Sequence, residues 1–547
     1  MNRFTVFDTE DDSEELLKAG KSGFDKQVTC IAALTDSGQE FFSDKANCVS
    51  EFLDWVQETE TGPIYAHNLS YDLGNIFGKD ALDQFTCRMI PGSSRLIRAR
   101  ARGRNWLDSF NLYPMSARKI GEKMGINKLQ MDVRSREYVM TDCRIIDAAL
   151  KTAFRIANEF SISRLPSTVG GLAMKIWQNM GGENWFDDST FSKEAYYGGR
   201  TEVFHIFKPS FCHIDINSLY PSVMLEPFPT ELRDKKDIEG WGIAEVEIKI
   251  PEQFVTPLPF RHPKLKKLIF PFGRIRGVWT FHEIRNAIEN FDCEIVKIYR
   301  ASGSKDGERY YAQFVTEFYE RRKKTEDEAM KLFFKLLLNN LYGQLGMKGG
   351  ISMSKDLMPW DFDSQGNYIA EGVPFGSKHL VDCEFPLREF CNYSHASYIT
   401  SLARIRIANE LKKCPEDKLI YCDTDSIIFE PFQNSFEISE ELGKFKVEDY
   451  GGEVYIFAKK CYIETGGQKN IICAKGVPKN KAKDFLFNKK ATFPKPYRLR
   501  QAINGYNEGN KNQLSVWRNI TKEFRGEKIK SKRELKNGKM MPLKVYV

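Results

Sequence analysis

The stretch YCDTDS at residues 421–426 places two carboxylates, Asp423 and Asp425, between two apolar runs. The flanking residues 419–420 and 427–429 are apolar, so the pattern predicts a strand, a tight turn with the acids, and a second strand. Two carboxylates this close repel each other unless a cation lies between them, and hard oxygen ligands favour Mg²⁺ or Mn²⁺. An acidic hairpin turn in solvent is the alternative, and other parts of the chain have to decide between the two.

The composition indicates a globular protein with several domains. A chain of 547 residues exceeds one ordinary core, and about two to four domains are expected. Hydrophobic residues make up 41% of the chain and aromatic residues 13%, which speaks against disorder. No apolar stretch is long enough for a membrane span, and residues 1–4 do not begin a signal segment, so we expect a cytoplasmic protein. The 12 Cys form no C-x-x-C pair and are interpreted as reduced thiols.

The positive charge is concentrated towards the C-terminus. The net charge is +7, whereas residues 511–547 alone hold eleven Lys or Arg and three Glu. The rest of the chain is therefore close to neutral. Such a segment favours contact with a phosphate backbone, and a solvated tail is the alternative.

Acids also follow apolar segments in the N-terminal part. The segment FTVFDTE ends in Asp8 and Glu10, and strand alternation puts both side chains on one face. A second strand leads through HNLSY into Asp72, and a helix that begins near Tyr138 carries Asp142 one turn later. Each acid alone is more typical of a cap than of a functional site.

Two further motifs lie in the middle of the chain. HIDINSLYPS at residues 213–222 is an apolar strand that ends at Asp215. A helix is predicted over residues 327–340, and the spacing of Lys331, Lys335, Asn339 and Tyr342 puts these four side chains on one face.

Taken together, the motifs resemble those of the protein-primed family B DNA polymerases found in small phages, adenovirus and linear plasmids. D-x-E, N-x-x-Y-D and Y-x-x-x-D match the three signatures of a proofreading 3′–5′ exonuclease, and D-x-x-S-L-Y-P-S, K-x-x-x-N-x-x-Y-G and D-T-D match the polymerase motifs in order. The resemblance implies an α/β and α+β multidomain chain. An RNase H-like exonuclease domain would precede a right-hand polymerase of palm, fingers and thumb with subfamily insertions.

The resemblance also implies domain boundaries. These are an exonuclease domain at 1–165, a linker and first part of the palm at 166–230, a palm extension and first insertion at 231–305, fingers helices at 306–345, a second insertion at 346–390, the palm again at 391–480 and a thumb at 481–547. For the second insertion, a ring over the template and a surface excursion without function both stay open.

The same resemblance assigns roles to individual residues. In the exonuclease, Asp8, Glu10, Asp72 and Asp142 would hold metal ions while Tyr138 orients the attacking water. In the polymerase, Asp215, Asp425 and the backbone carbonyl of Ile216 would bind metal, with Asp423 tuning the site from beside it. The expected cofactor is Mg²⁺ or Mn²⁺, with two ions per active site. The expected nucleotide contacts are Tyr220, Lys323, Lys331, Lys335, Asn339 and Tyr342.

DNA contacts follow in the same way. The expected set is His67, Asn68, Tyr71, Ser109, Tyr196, Gly198, Gly199, Lys460 and Tyr462. The Y-x-G-G stretch at 196–199 has an ordinary turn as its alternative. Arg98, Arg100, Arg102 and Arg104 are predicted to line one side of a strand, and we leave open whether this stripe binds DNA or a protein or merely protects an edge strand.

The expected partners are a DNA template and primer, dNTPs and a terminal priming protein, with the enzyme acting as a monomer in the host cytoplasm. Two other hypotheses are a nucleic-acid-primed family B polymerase and a non-catalytic nucleic-acid-binding scaffold. The compact size and the insertion between the second and third polymerase motifs argue against the first, and the retention of every expected acid argues against the second.

Overall fold

The structure is a computed structural model of the chain. It describes residues 3–21, 26–59, 62–78, 81–128, 132–347, 349–383, 389–433, 436–507, 514–523, 532–536 and 539–546. Within these ranges no helix has both the length and the hydropathy required to cross a membrane.

The N-terminal region alternates strands and helices. Its strands are β1 (Thr5–Asp11), β2 (Val28–Thr35), β3 (Glu40–Ser43), β4 (Ile64–Ala66), β5 (Thr86–Met89), β6 (Leu96–Ala101) and β7 (Arg104–Asp108). Its helices are α1 (Ser13–Lys18), α2 (Cys48–Glu58), α3 (Leu69–Phe77), α4 (Ala81–Gln84), α5 (Ala117–Met124) and α6 (Arg136–Glu159).

Strand β1 is central to this region because it pairs with β2 on one side and with β4 on the other. Its two faces enter different cores. Val6 packs in the core that contains α6, whereas Phe7 stacks on Phe52 at 5.2 Å in the other core. Since side chains alternate along a strand, Asp8 and Glu10 lie on the face of Val6, which is the face towards α6.

The predicted arginine stripe is wrong. The chain turns at Arg102 and Gly103, which have φ angles of 47° and 74°, so that β6 and β7 form a hairpin. Arg98 and Arg100 lie on β6, but Arg104 begins β7 and donates hydrogen bonds to the carbonyls of Val56 and Thr59. A glycine in the left-handed region ends the strand that charge alternation alone had extended.

The middle of the chain, residues 169–345, again contains both strands and helices. Its strands are β8 (Thr201–Val203), β9 (Phe207–Lys208), β10 (Phe211–Ile216), β11 (Phe228–Pro229), β12 (Arg233–Lys235), β13 (Trp241–Ile250), β14 (Phe260–His262), β15 (Lys267–Ile269), β16 (Phe272–Thr280), β17 (Glu294–Ser304) and β18 (Gly307–Glu308). Its helices are α7 (Val169–Asn179), α8 (Thr190–Ala195), α9 (Leu219–Val223), α10 (Phe281–Phe291), α11 (Ala312–Lys324), α12 (Glu328–Asn340) and α13 (Tyr342–Leu345).

The last third completes the sheets. Its strands are β19 (Ile351–Asp356), β20 (Val373–Phe375), β21 (Lys378–Cys383), β22 (Leu419–Asp423), β23 (Ser426–Phe429), β24 (Phe445–Gly451), β25 (Val454–Ala458), β26 (Cys461–Glu464), β27 (Ile472–Ala474), β28 (Lys490–Pro496), β29 (Trp517–Glu523), β30 (Arg533–Lys536), β31 (Lys539–Pro542) and β32 (Lys544–Tyr546). Its helices are α14 (Tyr393–Lys413), α15 (Lys479–Asn488) and α16 (Leu499–Asn507).

Helix predictions were accurate in one place and too long in another. Helix α12 ends at Asn340 as expected and begins at Glu328, because Asp327 caps it by accepting from the amides of Ala329 and Met330. The sequence past Leu150 predicts that the helix beginning near Tyr138 continues to about Trp177, but the structure splits this run into α6 and α7. Ser161, with φ 57°, lies between them.

The hairpin predicted at residues 419–429 is confirmed. Strands β22 and β23 pair antiparallel, and Thr424 has φ 65° in the turn between them. They lie in a sheet of order β24-β10-β23-β22-β8. Strand β10 is thereby placed directly beside β23, although the two are far apart in sequence.

The region after α13 extends the N-terminal sheet. Strand β19 pairs with β5, and the order across the whole sheet is β20-β21-β19-β5-β6-β7-β4-β1-β2-β3. Helix α16 packs on the new part, where Ile503 shares a core with Phe375 and Leu380. The segment predicted as a second insertion therefore connects the N-terminal region with α16.

The segment predicted as a thumb, 481–547, reaches three separate parts of the molecule. Ser515 contacts Lys26 of the N-terminal region at 2.7 Å between Oγ and Nζ. Arg533 is buried beside Glu202. Strand β32 pairs parallel with β16 in the sheet β12-β17-β13-β16-β32.

Candidate active sites

Three of the predicted N-terminal acids form a compact cluster. Asp8 and Glu10 project from β1 towards α6, which supplies Asp142. One carboxylate oxygen from each lies within 4.8 Å of the other two. The same-face geometry inferred from strand alternation thus brings together acids that are more than 130 positions apart in sequence.

Burial makes this cluster electrostatically unfavourable without a cation. It raises the pKa of Asp8 well above its usual range, and the neighbouring carboxylates of Asp142 and Asp72 raise it further. Burial likewise raises the pKa of Glu10 to about 7. Among the described residues, Oδ1 of Asp142 is buried and finds no hydrogen-bond partner. Hard oxygen ligands that are crowded and incompletely satisfied in this way fit a divalent cation.

Asp72, the fourth predicted acid, lies behind the cluster. It projects from α3 with only 1% of its surface exposed, and burial raises its pKa well above the usual range. Its Oδ1 accepts a 2.8 Å hydrogen bond from Thr9 Oγ1, which in turn accepts one from Asn75 Nδ2 at 3.0 Å. Its charge reaches Asp8, but its oxygens are not part of the three-acid group.

Lys128 is a member of this site that the sequence did not reveal. Its Nζ lies 2.5 Å from Asp142 Oδ2 and 4.6 Å from the centre of the Tyr138 ring. Burial alone would lower the pKa of Lys128, but the carboxylate of Asp142 outweighs burial and raises it. The ammonium therefore stays charged and places Tyr138 at the rim of the acid cluster.

Two of the predicted DNA contacts, His67 and Asn68, come directly after the end of β4. His67 binds Ser109 Oγ through Nδ1 at 3.0 Å and the Met115 carbonyl through Nε2 at 2.7 Å. Asn68 has φ 74°, and its amide donates to Asp108 Oδ1 at 2.9 Å. These bonds hold the segment that follows β4 against the end of β7 and the segment after it, and they fix the orientation of the imidazole.

Tyr71 lies on the next turn and contacts two residues that the motifs did not include. Lys26 Nζ is 5.2 Å from its ring centre, and the Trp517 ring lies edge-on at 6.4 Å. Lys26 also pairs with Asp11 at 3.0 Å. An aromatic pair with a nearby cation offers a surface on which a base can stack.

The second site joins Asp215 with the DTD turn. In the register of β10 and β23, Asp215 lies opposite Ser426, and the amide of Ile216 donates to the Asp425 carbonyl at 2.8 Å. Burial raises the pKa of Asp215 to about 6, with the charge of Asp425 as the next cause. Burial also raises the pKa of Asp425. Asp215 and Asp425 therefore lie together in one half-buried site, where the negative charge of either acid makes ionisation of the other less favourable.

Asp423 faces different partners. Its Oδ2 lies 3.1 Å from Lys460 Nζ and accepts from the Tyr421 hydroxyl at 3.2 Å, while Oδ1 accepts from Thr201 Oγ1 at 3.1 Å. The acids of the turn are therefore unequal in environment. The ring of Tyr462, which is predicted to contact DNA together with Lys460, lies 5.7 Å from that of Tyr421.

Gly199 supports the DTD turn from behind. A Cβ at this position would come within 2.9 Å of the Thr424 side chain. The Thr424 amide donates to the Arg200 carbonyl at 2.7 Å. A side chain at position 199 would therefore press on the Thr424 side chain of the turn, whereas a Cβ at Gly198 would meet no atom within 4 Å.

The predicted contact region at 196–199 is held by arginines that sequence reasoning did not identify. Arg404 is buried, pairs with Glu283 at 2.7 Å and donates to the Tyr197 carbonyl at 2.8 Å. Arg261 donates to the Tyr196 carbonyl. These residues follow no spacing that would have separated them from the other arginines of the chain.

Two of the predicted nucleotide contacts, Tyr220 and Tyr342, lie near Asp425, since burial raises the pKa of both phenols and the charge of Asp425 raises it further. The rings of Tyr220 and Tyr342 lie 4.4 Å apart, so their phenol groups form one surface although Tyr342 begins α13 rather than continuing α12. Lys335 is exposed, with its pKa lowered by burial of part of its stem and by the charges of Arg322 and Lys446.

The other predicted nucleotide contacts are Lys331, Lys323 and Asn339. Lys331 pairs with Glu328 at 2.9 Å on the same helix. Lys323 is exposed at the end of α11, and Asn339 is half-buried. Lys446, which was not predicted, lies closer to the acids, with Nζ 3.8 Å from Asp215 Oδ1.

Comparison with known proteins points to one family. The family model for DNA polymerase type B, organellar and viral, matches residues 98–435. The DNA-directed DNA polymerase of Enterobacteria phage PRD1 is 25% identical over 470 residues, which cover 79% of this chain and 78% of that protein. The probable DNA polymerase of Podospora anserina is 25% identical over 56% of this chain, but only 28% of its own length is matched.

Among solved structures, Phi29 DNA polymerase complexed with primer-template DNA is similar with a TM-score of 0.74. The match covers 96% of this chain and 100% of that chain at 16% sequence identity. At this identity the likeness establishes the fold, a multidomain arrangement of mixed sheets and helices over nearly the whole length.

Proposed function

The chain belongs to the organellar and viral type B DNA polymerases, and from this membership we propose that it replicates DNA from a protein primer and proofreads with an N-terminal 3′–5′ exonuclease. The observation that carries the proposal is the convergence of Asp215 and Asp425 beside the Tyr220 and Tyr342 rings. Two separate acid sites in one chain support two separate reactions on DNA.

In the polymerase site, the roles follow from position. Asp215 and Asp425, with the Ile216 carbonyl, would hold two Mg²⁺ or Mn²⁺ ions, which supply activation of the primer 3′-hydroxyl and neutralisation of the triphosphate. Lys335 would bind the triphosphate, and Tyr220 would exclude a 2′-hydroxyl by its bulk. Lys460 and Tyr462 would hold the primer end, and Asp423 would keep Lys460 in place through their ion pair.

In the exonuclease site, Asp8, Glu10, Asp72 and Asp142 would hold the divalent ions, which supply an activated water for phosphodiester hydrolysis. Tyr138, fixed by Lys128, would orient this water. His67, Asn68, Tyr71 and Ser109 would bind the single-stranded primer end. Burial of the cluster favours this role because it excludes bulk water from the acids.

The partners are proposed from the relatives. The Phi29 polymerase structures contain primer-template DNA and incoming nucleotides, and we extend these ligands to this chain. A terminal priming protein, action as a monomer and a location in the host cytoplasm belong to the same proposal.

A covalent adduct assay tests the mode of priming. The enzyme is incubated with its candidate terminal protein, a labelled dNTP and Mg²⁺, and a labelled protein–nucleotide adduct is expected on a denaturing gel. Asp425→Asn is the matched control and should give no adduct. Extension of an oligonucleotide primer without any adduct would instead identify a nucleic-acid-primed polymerase, and loss of both would support a scaffold.

A further inference from the structure

Among the residues that the structure describes, Lys446 is the cation nearest to a predicted metal ligand of the polymerase site. Strand β24 pairs antiparallel with β10 so that Lys446 lies directly opposite Asp215. Its Nζ is 3.8 Å from Asp215 Oδ1, and it forms a close ion pair with Glu448, which lies two residues further along β24 at an irregularity in the pairing with β10. Lys446 therefore lies between two carboxylates, of which one belongs to the proposed metal site.

The charges make this position significant. Asp215 and Asp425 repel each other, and the ammonium of Lys446 partly neutralises both. A divalent cation between the two acids would neutralise them more fully, but it would also lie within a few ångströms of the ammonium. Two like charges this close oppose each other, since the site is half-buried and weakly screened by solvent.

Glu448 provides an alternative partner for the ammonium of Lys446. It already binds Lys446, and its second oxygen is held by Lys469 at 3.0 Å. Lys446 can thus leave Asp215 by a change of side-chain rotamer alone, without movement of β24. Lys460 differs in this respect because its partner is Asp423, which is not assigned to the metal ions.

We propose that Lys446 is an internal counter-ion of Asp215 that a divalent cation must displace, and that Glu448 receives the displaced ammonium. Lys446 would then weaken cation binding at the polymerase site, and Glu448 would strengthen it without being a ligand. This inference rests on the proposed function, because it takes Asp215 and Asp425 as the metal site.

Binding of Mn²⁺ alone tests the proposal, with free Mn²⁺ measured by electron paramagnetic resonance in the absence of DNA and nucleotide. The full chain carries Asp8→Ala and Glu10→Ala so that the N-terminal cluster does not contribute. In this background Lys446→Met should tighten Mn²⁺ binding by roughly tenfold, and Glu448→Gln should weaken it several-fold. Lys444→Met, which removes a nearby lysine paired with Glu437, is the matched control and should leave the affinity unchanged.

The double variant Lys446→Met with Glu448→Gln separates the two possible roles of Glu448. If Glu448 acts mainly through Lys446, the second substitution weakens binding much less once the lysine is gone, because only the direct attraction of the Glu448 charge remains. A weakening in the double variant as large as that caused by Glu448→Gln alone would overturn its role as receiver. Unchanged or weaker binding in Lys446→Met would overturn the counter-ion proposal itself.

Asp425→Asn in the same background shows whether the proposed metal site is correct. It should weaken Mn²⁺ binding strongly. If it does not, the assignment of Asp215 and Asp425 fails, and the counter-ion proposal fails with it. Circular dichroism of each variant verifies that the fold is retained.

Discussion

The two acid sites of this molecule solve the same electrostatic problem in different ways. The N-terminal site crowds Asp8, Glu10 and Asp142 within 4.8 Å and sets Lys128 against them. The polymerase site has two half-buried acids, Asp215 and Asp425, and Lys446 lies 3.8 Å from Asp215. Three crowded acids therefore make the first site depend more strongly on added cations than the second, in which a lysine lies beside one of two acids.

The strongest test of whether the two sites act separately is to substitute one acid in each site. Asp425→Asn should reduce nucleotide addition by roughly 10³-fold and leave degradation of single-stranded DNA within about twofold, because only one site loses a ligand charge. Asp142→Asn should do the reverse. Primer extension and exonuclease assays on both variants measure the effects, and loss of both activities in either folded variant would show that the sites are not independent.

A smaller effect is expected from substitution of Lys128, the lysine that contacts Asp142 in the exonuclease site. Lys128→Met should lower exonuclease activity by roughly 10–100-fold, since Asp142 and Tyr138 lose the group that orients them. Polymerisation should stay unchanged. Lys123→Met is a suitable control because Lys123 pairs with the exposed Glu328 instead. An exonuclease rate equal to that of the unmodified enzyme would remove Lys128 from the site.

Gly199→Ala tests the support of the polymerase turn. The added methyl would meet Thr424 at 2.9 Å and displace the turn that carries Asp425, so polymerisation should fall by roughly tenfold with normal exonuclease activity. The double variant Gly199→Ala with Thr424→Ala is the control, because it removes the Thr424 atoms that the added methyl would meet. Equal rates for both variants would mean that the turn tolerates the shift.

The smallest expected difference lies in the pH dependence of the two activities. The pKa of Glu10 is raised to about 7 and that of Asp215 to about 6, in both cases mainly by burial. A raised carboxyl pKa keeps the ligand protonated at low pH, so each activity should rise as the pH increases through the pKa of its acid. At one subsaturating Mg²⁺ concentration the exonuclease midpoint should lie above that of polymerisation, because burial raises the pKa of Asp8 and Asp72 in that site as well. Coinciding midpoints would contradict the comparison.

Local patterns in the sequence were sufficient for the elements that carry the acids. Alternation placed Asp8 and Glu10 on one face of β1, and the apolar runs around the DTD turn predicted β22 and β23. Such patterns depend only on neighbouring residues. The roles assigned to individual site residues stay predictions until they are tested by substitution.

Features that depend on distant contacts could not be predicted. Lys128 and Lys446 are single lysines among many, and only the packing of α6 and the register of β24 bring them to carboxylates. The pairing of β19 with β5 has no sequence signal either. The arginine stripe failed for a local reason, because the alternating charges continued through a turn that Gly103 allows.

The parallel pairing of β32 with β16 has a consequence for biosynthesis. During translation the outer edge of β16 emerges from the ribosome long before residues 544–546 exist to cover it. Arg533, which is buried beside Glu202 on the strand next to β22, arrives equally late. A nascent chain can therefore form most of its degradative site before these contacts exist, whereas the edge of β16 and strand β8 beside the DTD hairpin gain them only once residues 533–546 have been made.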